Sequence, residues 1–227
     1  MMSRRVFATT NADSGALQAL EAYGHRFTEP GRFRIAVRED EIVVARHALE
    51  VSDDRSASTQ LTFDVGRSPG SQSDCGCSDF DPSRTARTLA VGGVALWWTS
   101  GVERKLSISG VALEATTRDQ AFDSRELGEG DVFSRVLLRP GQYRLANRLS
   151  GAEGRVVVTN PRHAGAPDRK PGIAQSAVRV ICGDRGFEPA EIEIERGQGV
   201  AWFVVGSTRY RITVELVSEQ QAPALTT

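Results

Sequence analysis

The chain is poor in lysine, methionine, histidine and cysteine, and each scarcity removes a class of chemistry. Lys105 and Lys170 are the only lysines among 28 basic residues, a bias toward arginine that carries no functional weight by itself. Against 29 acidic residues the formal charge is -1, so no net field draws the chain to nucleic acid or to an anionic membrane. No apolar run approaches the roughly 18 residues of a membrane span. The opening Met1 to Ala8 carries two arginines but turns polar at Thr9, without the apolar stretch of roughly 7–15 residues that export signals need. Three cysteines, Cys75, Cys77 and Cys182, are too few for a secreted disulfide framework and suit a reducing compartment. The expectation is a cytoplasmic protein with no nucleic acid and no membrane among its partners. No G-x-S-x-G elbow, H-E-x-x-H pair or phosphate-cradling glycine loop occurs, so no catalytic residue and no cofactor is expected.

What is present is strand and turn. Helical spacing is confined to Ser14 to Tyr23, where Ser14 is a candidate cap for a turn or two carrying Leu17 and Leu20. Arg32 to Val37, Glu191 to Glu195 and Tyr210 to Val214 alternate in polarity, as strands with one wet face must. Gly66 to Ser78 and Pro161 to Gly172 are rich in turn formers and have no apolar period, and the second is the expected linker.

The chain also repeats itself. Gly93-Val94-Ala95-Leu96-Trp97-Trp98, followed by Leu106-Ser107-Ile108-Ser109, matches Gly199-Val200-Ala201-Trp202-Phe203-Val204, followed by Tyr210-Arg211-Ile212-Thr213, with one residue of slack. Tyr23 to Ile35 lies over Phe133 to Leu145 with no gap. The middle of the chain thus holds a front half and a back half in order, while the N-terminus has only a back half and the C-terminus only a front half. A half-sandwich exposes an apolar face and unpaired edges, so the two orphan halves are expected to complete one another, within one chain or between chains. The expected organisation is a back half of an outer domain at 1–50 and a complete central domain at 60–160. A linker follows at 161–176, the outer domain's front half at 177–218, and a disordered tail at 219–227.

Phe187-Glu188-Pro189, Ile192 and Ile194 at alternate positions, Gly197-Gln198-Gly199-Val200-Ala201-Trp202, Arg139-Pro140-Gly141-Gln142-Tyr143 and Gly154 to Val158 together resemble the cupredoxin family, the plastocyanin- and halocyanin-like blue copper proteins. The resemblance implies an all-β protein of two cupredoxin-like Greek-key β-sandwiches, the outer one circularly permuted with the other inserted into it. It also implies a copper site of two histidines, a cysteine and an axial methionine, which suit that ion as imidazole and soft sulfur. The implied ligand positions fall on Leu106 and Asn147 in the central domain and on Tyr210 and Val37 in the outer one, and Met1 and Met2 are the only methionines. The family's copper chemistry is therefore not expected.

Other residues bear chemistry of their own. Cys75 and Cys77, one residue apart on a turn between carboxylates, are weak candidates for a soft metal or a redox couple. His25 and His47 are a second weak metal pair without an evident third ligand, and His163 lies in the linker. Cys182 follows Val178 and Val180 at period two and reads as a small buried hydrophobe. Glu191, Glu193 and Glu195 put three like charges on one side of a strand, a solvated face that also discourages edge pairing. Arg32, Arg34 and Arg144, outward on strands beside Phe33 and Tyr143, form a candidate contact surface. The sequence thus points to a non-catalytic, copper-free protein-binding or self-assembling module, as a homo-oligomer or filament or with a protein partner. A redox- or metal-responsive protein using Cys75 and Cys77 is the alternative, and a divergent copper electron-transfer protein the second.

Overall fold

The computed structural model describes residues 11–54, 56–65, 86–99, 104–113, 122–160 and 176–219. These residues form strands and turns, with no helix among them. In chain order the strands are β1 (Ala12–Asp13), β2 (Glu21–Arg26), β3 (Gly31–Glu39), β4 (Ile42–Ser52), β5 (Ser58–Asp64), β6 (Arg87–Trp98), β7 (Leu106–Ala112) and β8 (Phe122–Asp123). They continue as β9 (Val132–Val136), β10 (Gly141–Asn147), β11 (Glu153–Thr159), β12 (Val178–Gly183), β13 (Gly186–Glu188), β14 (Glu191–Glu195), β15 (Gly199–Val204) and β16 (Ile212–Glu219). The alternation read from the sequence is kept: β3 buries Phe33, Ile35 and Val37 and exposes Arg32 and Arg34, and β14 buries Ile192 and Ile194 and exposes Glu191 and Glu193.

The expected helical turns at Ser14 to Tyr23 do not form. Ser14 sits in a turn after β1, where its backbone N–H donates to the Ile212 carbonyl at 2.9 Å and its Oγ accepts from the Ile212 N–H at 3.1 Å. The segment from Glu21 onward is strand. Tertiary pairing supplies these backbone groups with partners that a two-turn helix, too short to be stable alone, would have had to find internally.

A mixed sheet of eleven strands runs in the order β13-β12-β15-β9-β2-β6-β4-β3-β7-β8, with β5 also on β6. A second sheet runs β1-β16-β10-β11-β14. Within this sandwich-like arrangement strand β6 changes partners along its length: Arg87 to Ala90 pairs with β4, with Leu89 also opposite Ser58 of β5, whereas Val94 to Trp98 pairs with β5 and β2. The change falls at Gly92-Gly93. Gly92 has φ 81°, and a Cβ on Gly93 would stand 2.7 Å from the Ala90 carbonyl oxygen, so only glycine fits.

The hydrogen bonds join the repeats in a different order from the expected one. Strands β2 and β3 pair with β6 and β7, not with the C-terminal strands, and β9 and β10 pair with β15 and β16. Strands within 21–39 are thus hydrogen-bonded to strands within 87–112, and strands within 132–147 to strands within 199–219.

The ends nevertheless meet. Strand β1 adds to β16, with Ala12 opposite Val214, and β8 adds to β7, with Gly110 opposite Phe122. Each half therefore lends its first strand to the other. Between the halves β2 and β9 lie antiparallel, with Tyr23 opposite Phe133 and Glu21 opposite Arg135. Tyr23 and Phe133 are also the residues that the gap-free repeat superimposes, so a local twofold axis passes between them. The core follows the same symmetry: Tyr23 and Phe63 stack on Trp97 at 5.8 and 5.6 Å, and Phe133 stacks on Trp202 at 5.5 Å, with both tryptophans fully buried.

Candidate interaction surface

Strand β3 carries Arg34, Ala36 and Arg38 on its outward side, flanked by Arg46 of β4 and by Ser109 and Val111 of β7. These side chains line a shallow concavity of about 360 Å³. Arg38 Nη1 donates to Ser109 Oγ. No carboxylate among the described residues forms an ion pair with Arg34, Arg38 or Arg46. The nearest acidic groups on these strands are Glu50, opposite Arg32 across β3 and β4, and Glu39, which pairs with Arg104 at 3.6 Å.

The matching face of the second half is built on β10, β11 and β16 and is self-neutralised. Arg144 pairs with Glu153, Arg148 with Glu215, and Arg155 with Glu191 at 2.6 Å. The candidate contact set from the sequence is therefore split: Arg32 and Arg34 face solvent on β3, whereas Arg144 is on β10 and already holds a carboxylate. Arg38 and Arg46 complete the first-half surface and were not singled out by the sequence, although setting the repeats side by side places Arg46 where the second half has an acid.

A second polar cluster is buried on the twofold axis. Glu21 and Arg135 form an ion pair with side chains 0% and 4% exposed, and Arg135 Nη1 also donates to the Asn11 carbonyl at 2.6 Å. Their repeat counterparts, Asp131 and His25, form the symmetric pair: His25 Nδ1 lies 2.6 Å from Asp131 Oδ1, which also accepts from Tyr23 OH at 2.9 Å. Each acid is anchored alike, Glu21 by the Gln18 N–H and Asp131 by the Gly128 N–H, both at 2.8 Å. Burial pushes the Glu21 carboxyl up to about 7 against the opposing pull of Arg135, and burial followed by the Asp131 charge holds the Tyr23 phenol well above its usual range. These pairs tie the halves to each other across the β2–β9 seam.

The implied copper positions regroup with the new pairing. Leu106 and Val37 come to one half, on neighbouring strands β7 and β3, and Tyr210 and Asn147 to the other. All four are buried. Asn147 is held by donating to Ser150 Oγ at 2.7 Å and to the Arg209 carbonyl at 3.0 Å, and its Oδ1 accepts from the Arg211 N–H at 3.0 Å. Tyr210 OH donates to the Gly183 carbonyl.

His25 is committed to Asp131 and stacks on Phe122 at 4.2 Å, while His47 packs on Phe63 at 4.8 Å with its pKa lowered to about 4 by burial and by the Arg87 charge. The two are not brought together with a third ligand, for the described residues contain no group of three or more His, Cys, Asp or Glu that could hold a metal. Cys75, Cys77 and His163 lie outside the described residues. Cys182 is fully buried, and burial pushes its thiol up to about 12. No helix among the described residues is long and apolar enough to cross a membrane. Comparison with known proteins finds no family model, no curated protein and no solved structure that matches this chain.

Proposed function

We propose that this chain is a non-catalytic, copper-free binding or assembly module made of two cupredoxin-like Greek-key sandwiches, each with its back strands placed before its front strands. The observation that carries the reading is the filling of the implied copper positions by Leu106, Val37, Tyr210 and Asn147, all buried and the last two hydrogen-bonded through their side chains. A pocket packed this way offers neither thiolate nor imidazole to a soft ion. Binding then falls to surfaces, and the unneutralised arginine face of the first half is the one with uncompensated chemistry.

Two measurements on the whole chain test this. Addition of copper(II) gives no intense visible thiolate band, and light scattering across a concentration series together with partner capture gives either self-association or a stoichiometric partner. A blue band, or a strictly monomeric protein that captures nothing, refutes the reading.

A further inference from the structure

The two outward sheet faces differ at a few matched positions. Residue pairing fixes the correspondence. Ala36 of β3 is opposite Arg46, and its repeat counterpart Ala146 of β10 is opposite Glu153. Arg34 is opposite Val111 of β7, and its counterpart Arg144 is opposite Glu215 of β16. Arg38 matches Arg148 when the gap-free repeat is extended three residues beyond Ile35 and Leu145. In the second half the two arginines Arg144 and Arg148 are balanced by Glu153 and Glu215. In the first half the same two arginine positions face a third arginine and a valine. One face sums to zero and the other to three positive charges around a concavity.

We propose that the Arg34, Arg38 and Arg46 concavity is a docking site for an acidic peptide segment of a partner protein, whose carboxylates take the places that Glu153 and Glu215 occupy in the second half. The reading rests on the proposed binding role and names its partner chemistry. The guanidinium fork matches a carboxylate bidentately, and Ser109 adds a hydroxyl at the floor. Val111, 44% exposed, gives an apolar contact at the rim. Three like charges on adjacent positions repel one another without a counter-charge, and an incoming acidic segment removes that repulsion. The second half, already neutralised, does not compete for the segment.

The test uses the whole chain and a fluorescein-labelled peptide of alternating glutamate and glycine, with a glutamine version as control. Fluorescence anisotropy detects binding of the glutamate peptide and not of the glutamine peptide, and the affinity falls steeply as salt rises. Arg46→Glu installs the counter-charge that Glu153 supplies in the other half, so it keeps the fold and weakens the glutamate peptide by about tenfold or more. Glu215→Val, which unbalances the second half, leaves the affinity of the first-half site unchanged within about twofold. The proposal is overturned if the glutamate peptide does not bind, if Arg46→Glu binds it equally while retaining the wild-type melting curve, or if inorganic phosphate alone competes at the same molar concentration as the peptide. Any of these results accompanied by self-association or partner capture would remove the arginine site and leave the binding role standing; a blue copper band would remove the binding role itself.

Discussion

Replacing Arg135 by methionine should expose how much the seam depends on its buried ion pair. The Glu21 and Arg135 side chains are 0% and 4% exposed, so the small worth of surface pairs does not apply. Removing one partner of a buried pair leaves the other charge without compensation, but the Glu21 carboxyl escapes by keeping its proton, so at pH 8, one unit above its folded pKa of about 7, the missing counter-charge costs about 1.4 kcal/mol. With the lost hydrogen bond to Asn11 the total is about 2–3 kcal/mol, a sizeable share of the roughly 5–15 kcal/mol that holds a typical domain folded. The loss depends on pH in a defined direction. The folded-state pKa of Glu21 is raised from 4.5 to about 7, so between those values the folded chain keeps a proton that the unfolded chain has released. Stability from this group therefore falls as pH rises through that window, and Arg135 limits the fall because it is the main group lowering the carboxyl's pKa. In Arg135→Met the fall keeps the same one-proton slope but continues to higher pH. Near pH 5 the carboxyl is neutral in the fold, and the variant loses only about 1 kcal/mol, for the missing hydrogen bond to Asn11. Urea denaturation followed by the fluorescence of the buried tryptophans measures both ends of the range. Equal losses near pH 5 and pH 8, or no recovery in the Glu21→Gln/Arg135→Met double variant at the higher pH, would refute the assignment.

Trp97→Ala and Trp202→Ala each empty the centre of one half's aromatic stack and should each cost about 3–5 kcal/mol, read as a shift in denaturation midpoint. Gly110→Ala would set a Cβ 2.3 Å from the Phe122 ring at the β7–β8 crossing, and should cost about 1–3 kcal/mol in the same assay, whereas Gly151→Ala, with open space around it, loses less and only through its φ of 77°. His47 stays neutral in the fold down to about 4, so its contribution to stability is lost as pH falls from 6.5 toward 4; His47→Leu should flatten the stability profile over that acid range and leave the profile above pH 7 unchanged. In a Cys75→Ser/Cys77→Ser background the native chain should react with a thiol reagent only on the timescale of opening, and at once in denaturant, because Cys182 is fully buried with its pKa near 12.

Much of the fold was legible because strand polarity is local information. The in-out alternation of Arg32 to Val37 and Glu191 to Glu195 needs only the chain itself, and the burial of Cys182 follows from Val178 and Val180 at period two. Which strands pair was not legible. Two similar repeats offer each strand two similar candidate partners, and the alternation of Tyr23 to Ile35 reports which face is buried and not which strand it meets. The turn at Ser14 did have a signal: Asp13-Ser14 with Leu17 recurs as Asp123-Ser124 with Leu127, at the same spacing as the gap-free repeat, and both serines accept a backbone N–H from the opposite half. A recurrent motif of that kind marks a shared tertiary contact and not a local helix. The arginine concavity was half visible. Arg32 and Arg34 stand out on their own strand, but the significance of Arg46 appears only when Glu153 is set beside it, and grouping Arg144 with them ignored a carboxylate nine residues later that captures it.

The exchange of β1 and β8 gives the molecule a property that neither half would have as a free body. The residues that finish each half's outer sheet arrive from its neighbour, so two identical single-repeat chains could satisfy the same contacts only by meeting in solution at their ambient concentration. Fusing them replaces that encounter with an effective concentration on the order of millimolar. The covalent tether thus allows the two copies to differ, and one surface carries three arginines without an ion pair among the described residues while the other holds three ion pairs.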